Sequence, residues 1–456
     1  MLSKILNSTL LAKINSKEIK ILVVFGLLYR IIFSVFYFHI TIYPDSEGYL
    51  FLSQKILNFN LSHYNGERSL GYPLLISFAF GSTIITLLYQ FILGIITSIY
   101  WYKTLINLRF SSKKALCVTL FLQSFINVYF YETAILVESL SLFFISVIVF
   151  MLTDNYFENR SLKNDFLIGF IIAYLVAIKP FYIYVPFVIY LFVILKNHNL
   201  KRLIFNKIVI LILPLIMFFG WSYVNKINTG HFVSTTFFGL NLSQNCVYFA
   251  EKAPKEFDWI AKPYVKYREM AIKQDKDVAM SIWFARKHGA FASYNLKLCD
   301  LSSELGDFAK ETIRNNPIDY LKQVFTRSWF DFWKPSIYWN FDKFNFEYAK
   351  KIVLLIWYIQ VPITVFFKFT FVLLIPILSY FAFKRREISI EFIVSIIVFS
   401  GSILQGLATY GTNNRFSFPF EFIMILVVIS FFKREIYFSK HLNTFRQFLN
   451  NYALFR

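Results

Sequence analysis

The sequence predicts an all-α polytopic membrane protein of about ten transmembrane helices, with a first outer loop carrying interfacial helices and one larger outer segment. Three observations carry that prediction. Of the 456 residues, 57% are hydrophobic and only 16% are charged, whereas a soluble domain carries about a quarter charged residues. Mean hydropathy is +0.53. Glycine and proline number only 15 and 12, so apolar stretches run on toward the roughly 20 residues that cross hydrocarbon as a helix. This balance excludes a disordered chain and argues against a soluble enzyme. The 57 Phe and 29 Tyr are read as packing residues and coding bias, without functional weight. A net charge of +20 would suggest nucleic acid in a soluble protein. In so apolar a chain the membrane comes first, and no nucleic-acid partner is expected.

The spans follow in order. The first runs from Ile21 to Ile42, with no small-residue cleavage site after it, so it is read as an uncleaved anchor. Then come Thr83–Tyr102, Ala115–Phe130, Ala134–Leu152, Phe166–Ala177, Tyr182–Leu195 and Ile208–Val224. A polar stretch separates these from Pro362–Phe383, Phe392–Leu407 and Ser417–Phe432. Lys and Arg set the orientation, because cytoplasmic loops are basic. With the N-terminus inside, the inner loops hold Lys13, Lys17 and Lys20; Lys103, Arg109, Lys113 and Lys114; Arg160 and Lys163; Lys196, Lys201, Arg202 and Lys207; Lys384, Arg385 and Arg386; then Lys433 and Arg434. Ten crossings place both termini in the cytoplasm. Ile352–Gln360 is expected to be an interfacial helix ahead of a single span, since two crossings there would put Lys384–Arg386 outside.

The organisation is therefore an N-terminal membrane module (1–225) with a first outer loop (41–82), a large outer segment (226–351), and a C-terminal membrane module with a cytoplasmic tail (352–456). Cys117, Cys246 and Cys299 are too few for a disulfide framework. Cys246 and Cys299 share the outer segment, where a bond between them is open.

Ionisable residues inside spans cost about 2.5–3.5 kcal/mol each on insertion scales, so each needs a partner or a task. Arg30 lies mid-way in the first span, Glu138 a turn into the fourth, Lys368 in the eighth and Glu421 at the outer end of the tenth. Lys368 is read as a snorkelling side chain. For Arg30 and Glu138, a structural ion pair and a functional role stand level.

The outer edges hold a second set. Tyr43 to Leu50 reads Tyr-Pro-Asp-Ser-Glu-Gly-Tyr-Leu directly after the first span. The proline is expected to end that span and leave Asp45 at the membrane surface. Tyr49, Leu50, Leu52, Ile56 and Leu57 then recur at helical spacing, as in an interfacial helix. Arg68, Gly71, Tyr72 and Pro73 follow. Glu132 in the turn after the third span, Lys179-Pro180 after the fifth, and Asn413, Asn414 and Arg415 before the tenth lie at the same edge. Carboxylates and cations thus gather on one face. Such a set suits glycosyl transfer from a lipid phosphate: a carboxylate takes the acceptor proton, and cations stabilise the departing phosphate. Asp45 is the first candidate for general base or acceptor positioning, Glu47 the second, with Glu132 and Glu138 assisting. Lys179, Arg415 and Arg68 are the candidate donor phosphate-binding residues. Walker, GxSxG, HExxH and Cys/His zinc patterns do not occur.

At these residues the chain resembles membrane glycosyltransferases of the GT-C fold, in the branch of protein O-mannosyltransferases and lipid A aminoarabinose transferases. That family places an aspartate just after its first helix, as at Asp45, and closes the loop with Arg and Gly-Tyr-Pro, as Arg68 and Gly71-Tyr72-Pro73 do. Ile135 to Phe144 resembles its acidic fourth helix, and Lys179-Pro180 stands where Arg-Pro is common. Trp221 to Gly230, Asn316 to Trp333, and Asn414 to Pro419 resemble later helix boundaries. Asp-Ser-Glu replaces the paired acidic residues of several members. The resemblance implies a polyprenyl-phosphate-linked sugar as donor, membrane lipids as surroundings, an acceptor still open, and an active site on the outer face of a bacterial inner membrane. A divalent ion at Asp45 or Glu138 is open. Alternatives are a polysaccharide polymerase or ligase using lipid-linked sugars, and a lipid or polysaccharide flippase.

Overall fold

The computed structural model describes residues 16–159, 161–386 and 388–434. Lys13, Arg160 and the tail beyond 434 lie outside the described residues. Among the described residues every regular element is helical, and the one β-contact is an isolated parallel bridge between Thr41 and Ala134.

The helices that build the membrane module and the first loop are α1 (Lys17–Phe36), α2 (Pro44–Leu57), α3 (Gly71–Phe78), α4 (Thr83–Asn107), α5 (Ser112–Gln123), α6 (Ile126–Glu132), α7 (Glu138–Thr153), α8 (Leu162–Ile178), α9 (Tyr184–Asn197), α10 (Lys201–Lys207) and α11 (Val209–Thr229). The polar segment folds as α12 (Phe238–Gln244), α13 (Asp258–Lys273), α14 (Ser281–Lys287), α15 (Leu298–Asn315), α16 (Pro317–Gln323) and α17 (Trp329–Phe332). The chain returns through α18 (Glu347–Arg385), α19 (Ile390–Ala408), α20 (Asn413–Ser417) and α21 (421–434).

Seven stretches are long and apolar enough to cross a membrane: Lys17–Phe36, Thr83–Asn107, Pro180–Asn197, Lys201–Thr229, Glu347–Lys384, Ile390–Ala408 and Asn413–Arg434. The helices suit a multi-pass membrane protein. The expected third crossing is a pair, α5 and α6, bent by 58°, and counting it as one span makes eight. The expected fourth and fifth are α7 and α8, of 16 and 17 residues. At 1.5 Å per residue these rise about 24–26 Å, short of the roughly 30 Å hydrocarbon.

Three boundaries differ from the sequence reading. Helix α1 opens with Ser16 accepting from the Ile19 N–H, and it stops at Phe36, six residues before Ile42. The next residues leave the helix because Thr41 bonds elsewhere: its N–H donates to Thr133 O and its carbonyl accepts from Ile135 N. Pro44 does not end that span but starts α2, at a position where its missing N–H costs nothing. The segment Ile352–Gln360 is no separate interfacial helix. It is part of α18, 39 residues in one helix that continues through Pro362 and Pro376.

One large apolar core runs through the membrane module, with α7, α9, α19 and α21 contributing much of it. The polar segment has its own core of Leu240, Val247, Ile260, Tyr264, Ile282, Leu305 and Phe308. Cys246 is fully buried in that second core, and both Cys246 and Cys299 are free thiols.

Buried charges are paired across the bundle. Arg30 on α1 meets Glu132 at the end of α6, with 4% and 1% of the side chains exposed. Gly94 on α4 makes that pair fit: a Cβ there would stand 1.8 Å from Glu132 Oε1 and 2.3 Å from Arg30 Nη2. Lys368 does not snorkel. Its ammonium lies 2.8 Å from Glu421 Oε1 and donates to Ser417 Oγ and Lys334 O, while Asn127 Nδ2 donates to Glu421 Oε2. Lys207, expected in an inner loop, is buried 2.8 Å from Asp165 and donates to Tyr156 O.

Candidate functional site

Five of the seven nominated side chains meet in one cluster, and each arrives from a different part of the chain. Asp45 comes from the first turn of α2, on the edge of the face that buries Ser46, Tyr49 and Leu52. Its carboxylate accepts from two arginines: Oδ1 lies 3.0 Å from Arg68 Nη2 and Oδ2 lies 2.9 Å from Arg415 Nη1. Arg415 also reaches Glu138 at the start of α7, with Nε 2.7 Å from Oε1. Lys179, in the turn between α8 and the helical turn Pro180–Ile183, sets its ammonium 3.8 Å from the same Glu138 oxygen. Two carboxylates therefore face three cations.

The remaining two nominees lie elsewhere. Glu47, two residues beyond Asp45, is exposed, since successive alternate residues on a helix point about 200° apart. Glu132 is committed to Arg30, a different ion pair from the cluster.

The local fold explains how Arg68 is aimed. Its carbonyl accepts from Tyr64 Oη at 2.6 Å and from Trp221 Nε1 at 3.2 Å, and its N–H bonds the same tyrosine oxygen. Its guanidinium lies 5.0 Å from the rings of both Tyr49 and Phe237. Gly48 leaves room for it, because a Cβ there would come 2.7 Å from Arg68 Nε. Arg415 is carried by α20, which Asp331 holds by accepting from the Asn413 N–H at 2.9 Å. Asn413 itself is fully buried, not a loop tip, with its amide donating to Ser328 O and Thr409 O. Lys179 stands 3.1 Å from the centre of the Phe416 ring, and Tyr338 lies against Arg415.

The electrostatics are unequal within the cluster. Asp45 is the open member, with 34% of its side chain exposed, against 13% for Arg68, 10% for Arg415, 18% for Lys179 and 2% for Glu138. Burial pushes the Asp45 carboxyl up, but Arg415 and Arg68 outweigh it and hold it well below the usual carboxylate range. Burial brings the Lys179 ammonium down to about 7, against the pull of Glu138. Glu138 Oε2 and Arg68 Nε are buried without a hydrogen-bond partner among the described residues, as are Arg30 Nε and Glu132 Oε2 in the separate pair. A group that brings negative, accepting oxygen suits Arg68 Nε and the excess of cations, whereas Glu138 Oε2 calls for a donor such as a hydroxyl. A divalent cation does not fit the cluster, because both Asp45 oxygens and one Glu138 oxygen are already held by cations.

Sequence reasoning missed the aromatic frame of Tyr49, Phe237, Tyr338 and Phe416, and the supporting role of Asp331. Against 57 Phe and 29 Tyr these rings carry no local signal. Comparison with protein-family models, curated proteins and solved structures finds no match to this chain.

Proposed function

We propose that this chain is a glycosyltransferase that moves a sugar from a polyprenyl-phosphate donor to an envelope acceptor at the outer face of a bacterial inner membrane, with both termini in the cytoplasm. The observation that carries the reading is the meeting of Asp45, Glu138, Arg68, Lys179 and Arg415, a set with one cation in excess and one carboxylate open to solvent. A sugar phosphodiester carries one negative charge, which balances that excess. Its phosphate oxygens take hydrogen bonds from Arg68, Arg415 and Lys179 as the bond to the anomeric carbon breaks. The acceptor hydroxyl attacks that carbon, its proton passes to Asp45, and the polyprenyl phosphate departs. In the ligand-free arrangement Asp45 is a poor base, because both arginines neutralise it. A donor phosphate that draws on the same arginines weakens that hold and raises the basicity of Asp45 where the acceptor arrives. Glu138 keeps Arg415 and Lys179 in place from its buried side.

The test is transfer itself. Envelope glycans and lipids from cells with and without the gene, compared by mass spectrometry, should differ by one sugar, and purified protein should transfer that sugar from a polyprenyl phosphate. A missing repeat polymer in place of a missing sugar would point to a polymerase or ligase. The flippase reading draws on the ion pairs Arg30–Glu132 and Lys368–Glu421 inside the bundle, since charge along a lipid path has that use. Lipid crossing in liposomes without sugar transfer would replace the enzyme reading by that one.

A further inference from the structure

A second group of chemistry-bearing residues lies in the polar segment, separate from the charged cluster. His231 follows α11, whose end is capped by Gly230 in the left-handed region at φ 82°. Cys299 and Asp300 stand in the first turn of α15. His231 Nε2 lies 2.8 Å from Asp300 Oδ1, Cys299 Sγ lies 3.7 Å from the same oxygen, and the three donor atoms lie within 4.8 Å of one another. These are a nitrogen, a sulfur and an oxygen donor from two separate elements. A tetrahedral zinc-class ion, with bonds of about 2.0 Å to N or O and 2.3 Å to S, sets its donors roughly 3.3–3.5 Å apart. The observed separations, 2.8 and 3.7 Å with all three atoms inside 4.8 Å, bracket that spacing.

The surroundings supply the remaining position. A cavity of about 80 Å³ opens beside the group, lined by His231 and Cys299 together with Thr235, Ser302, Ser303 and Lys310. It is large enough for a water molecule, and its hydroxyls suit one. The nearby ammonium of Lys310 pairs with Asp307 at 2.8 Å on the surface. Once the thiol proton leaves to solvent, thiolate and carboxylate carry two negative charges, which a divalent ion balances.

The geometry points to a transition-metal site of the zinc class at His231, Cys299 and Asp300, with a water as fourth ligand. Such an ion ties the end of α11 to the start of α15. The chain between them continues into residues that hold the Arg68 loop. Thr235 Oγ1 donates to Glu67 O, Thr236 N donates to Gly66 O, and Thr236 Oγ1 donates to Asn65 O, each at 2.9 Å. Phe237 then packs on the Arg68 guanidinium. The ion therefore braces the loop that presents Arg68, whatever reaction the cluster performs. His231 paired with Asp300 by a hydrogen bond alone is the outcome that would remove the site.

Cobalt reads the site directly. Full-length protein in detergent, stripped with chelator, should take up one equivalent of Co²⁺ and develop a thiolate-to-cobalt charge-transfer band. Cys299→Ser should lose the band, His231→Ala and Asp300→Asn should weaken it, and Cys117→Ser should keep it. Absence of the band in the wild type, or its survival in Cys299→Ser, overturns the proposal. The wild type gives a check that needs no variant. Zn²⁺ should shield Cys299 from maleimide, and chelator should restore its labelling, as read by peptide mass spectrometry. Equal labelling of Cys299 with and without Zn²⁺ overturns it as well.

Discussion

Two kinds of buried charge share this bundle, and they are built differently. Arg30 with Glu132, and Lys368 with Glu421, are one-to-one pairs with no side chain more than 5% exposed. The cluster around Asp45 sets three cations on two carboxylates and opens Asp45 to solvent. The closed pairs are balanced within themselves, so their loss should be felt as stability. The open cluster holds one cation more than it has carboxylates among the described residues.

The largest effect that would sharpen this contrast is Asp45→Asn. It keeps shape and removes the basic oxygen, so transfer should fall roughly 10²- to 10⁴-fold. The melting temperature should fall too, because Arg68 and Arg415 lose a charge partner, so transfer is compared on folded protein at a temperature below both transitions. Full transfer by purified Asp45→Asn protein would end its assignment as base. On the other side of the comparison, Arg30→Met leaves Glu132 buried without its partner, and should destabilise by about 3–5 kcal/mol. Joining it to Glu132→Met should recover most of that loss in a denaturation series. A double variant as unstable as the single would mean the pair is more than a neutralised contact.

The two glycines beside the arginines give a smaller, paired test. Gly94→Ala drives a Cβ into both partners of the Arg30 pair and should cost about 1–3 kcal/mol of stability. Gly48→Ala meets only Arg68, whose side chain can shift, so it should raise the donor KM and leave the melting curve in place. Matching thermal losses in both would erase the distinction between the regions. The smallest effect concerns pH. Lys179 keeps its proton only below about 7, so donor binding should weaken as pH rises through that value, by about tenfold across the transition. Lys179→Arg, with a guanidinium that stays charged, should flatten the profile. A wild-type donor KM that is level from pH 6 to 8 would remove Lys179 from the phosphate contact.

The sequence reading was strongest where information is local. The amphipathic spacing of Tyr49, Leu52 and Ile56 reads as the helix that Pro44–Leu57 forms. The basic residues expected as phosphate ligands, Arg68, Lys179 and Arg415, also converge, although 23 to 370 residues separate them from their acidic partners. It was weakest where one bond decides a boundary. Nothing in the run from Ile21 to Ile42 announces that Thr41 will bond Thr133 and Ile135 and pull the chain out of the helix.

What the sequence by itself determined is the set of apolar helices and the residues that are expensive to bury, because hydrophobic length and the presence of a charge are properties of a short stretch. Only the tertiary structure decided who neutralises whom. Lys368 reads as a snorkelling chain until α21 brings Glu421 to it, and Glu132 reads as a site carboxylate until Gly94 lets Arg30 reach it. Glu138, from the same stretch, goes instead to Arg415 and Lys179. A buried charge takes the nearest opposite charge in space, since attraction grows steeply once water is excluded, and distance in space is what folding, and no local pattern, sets.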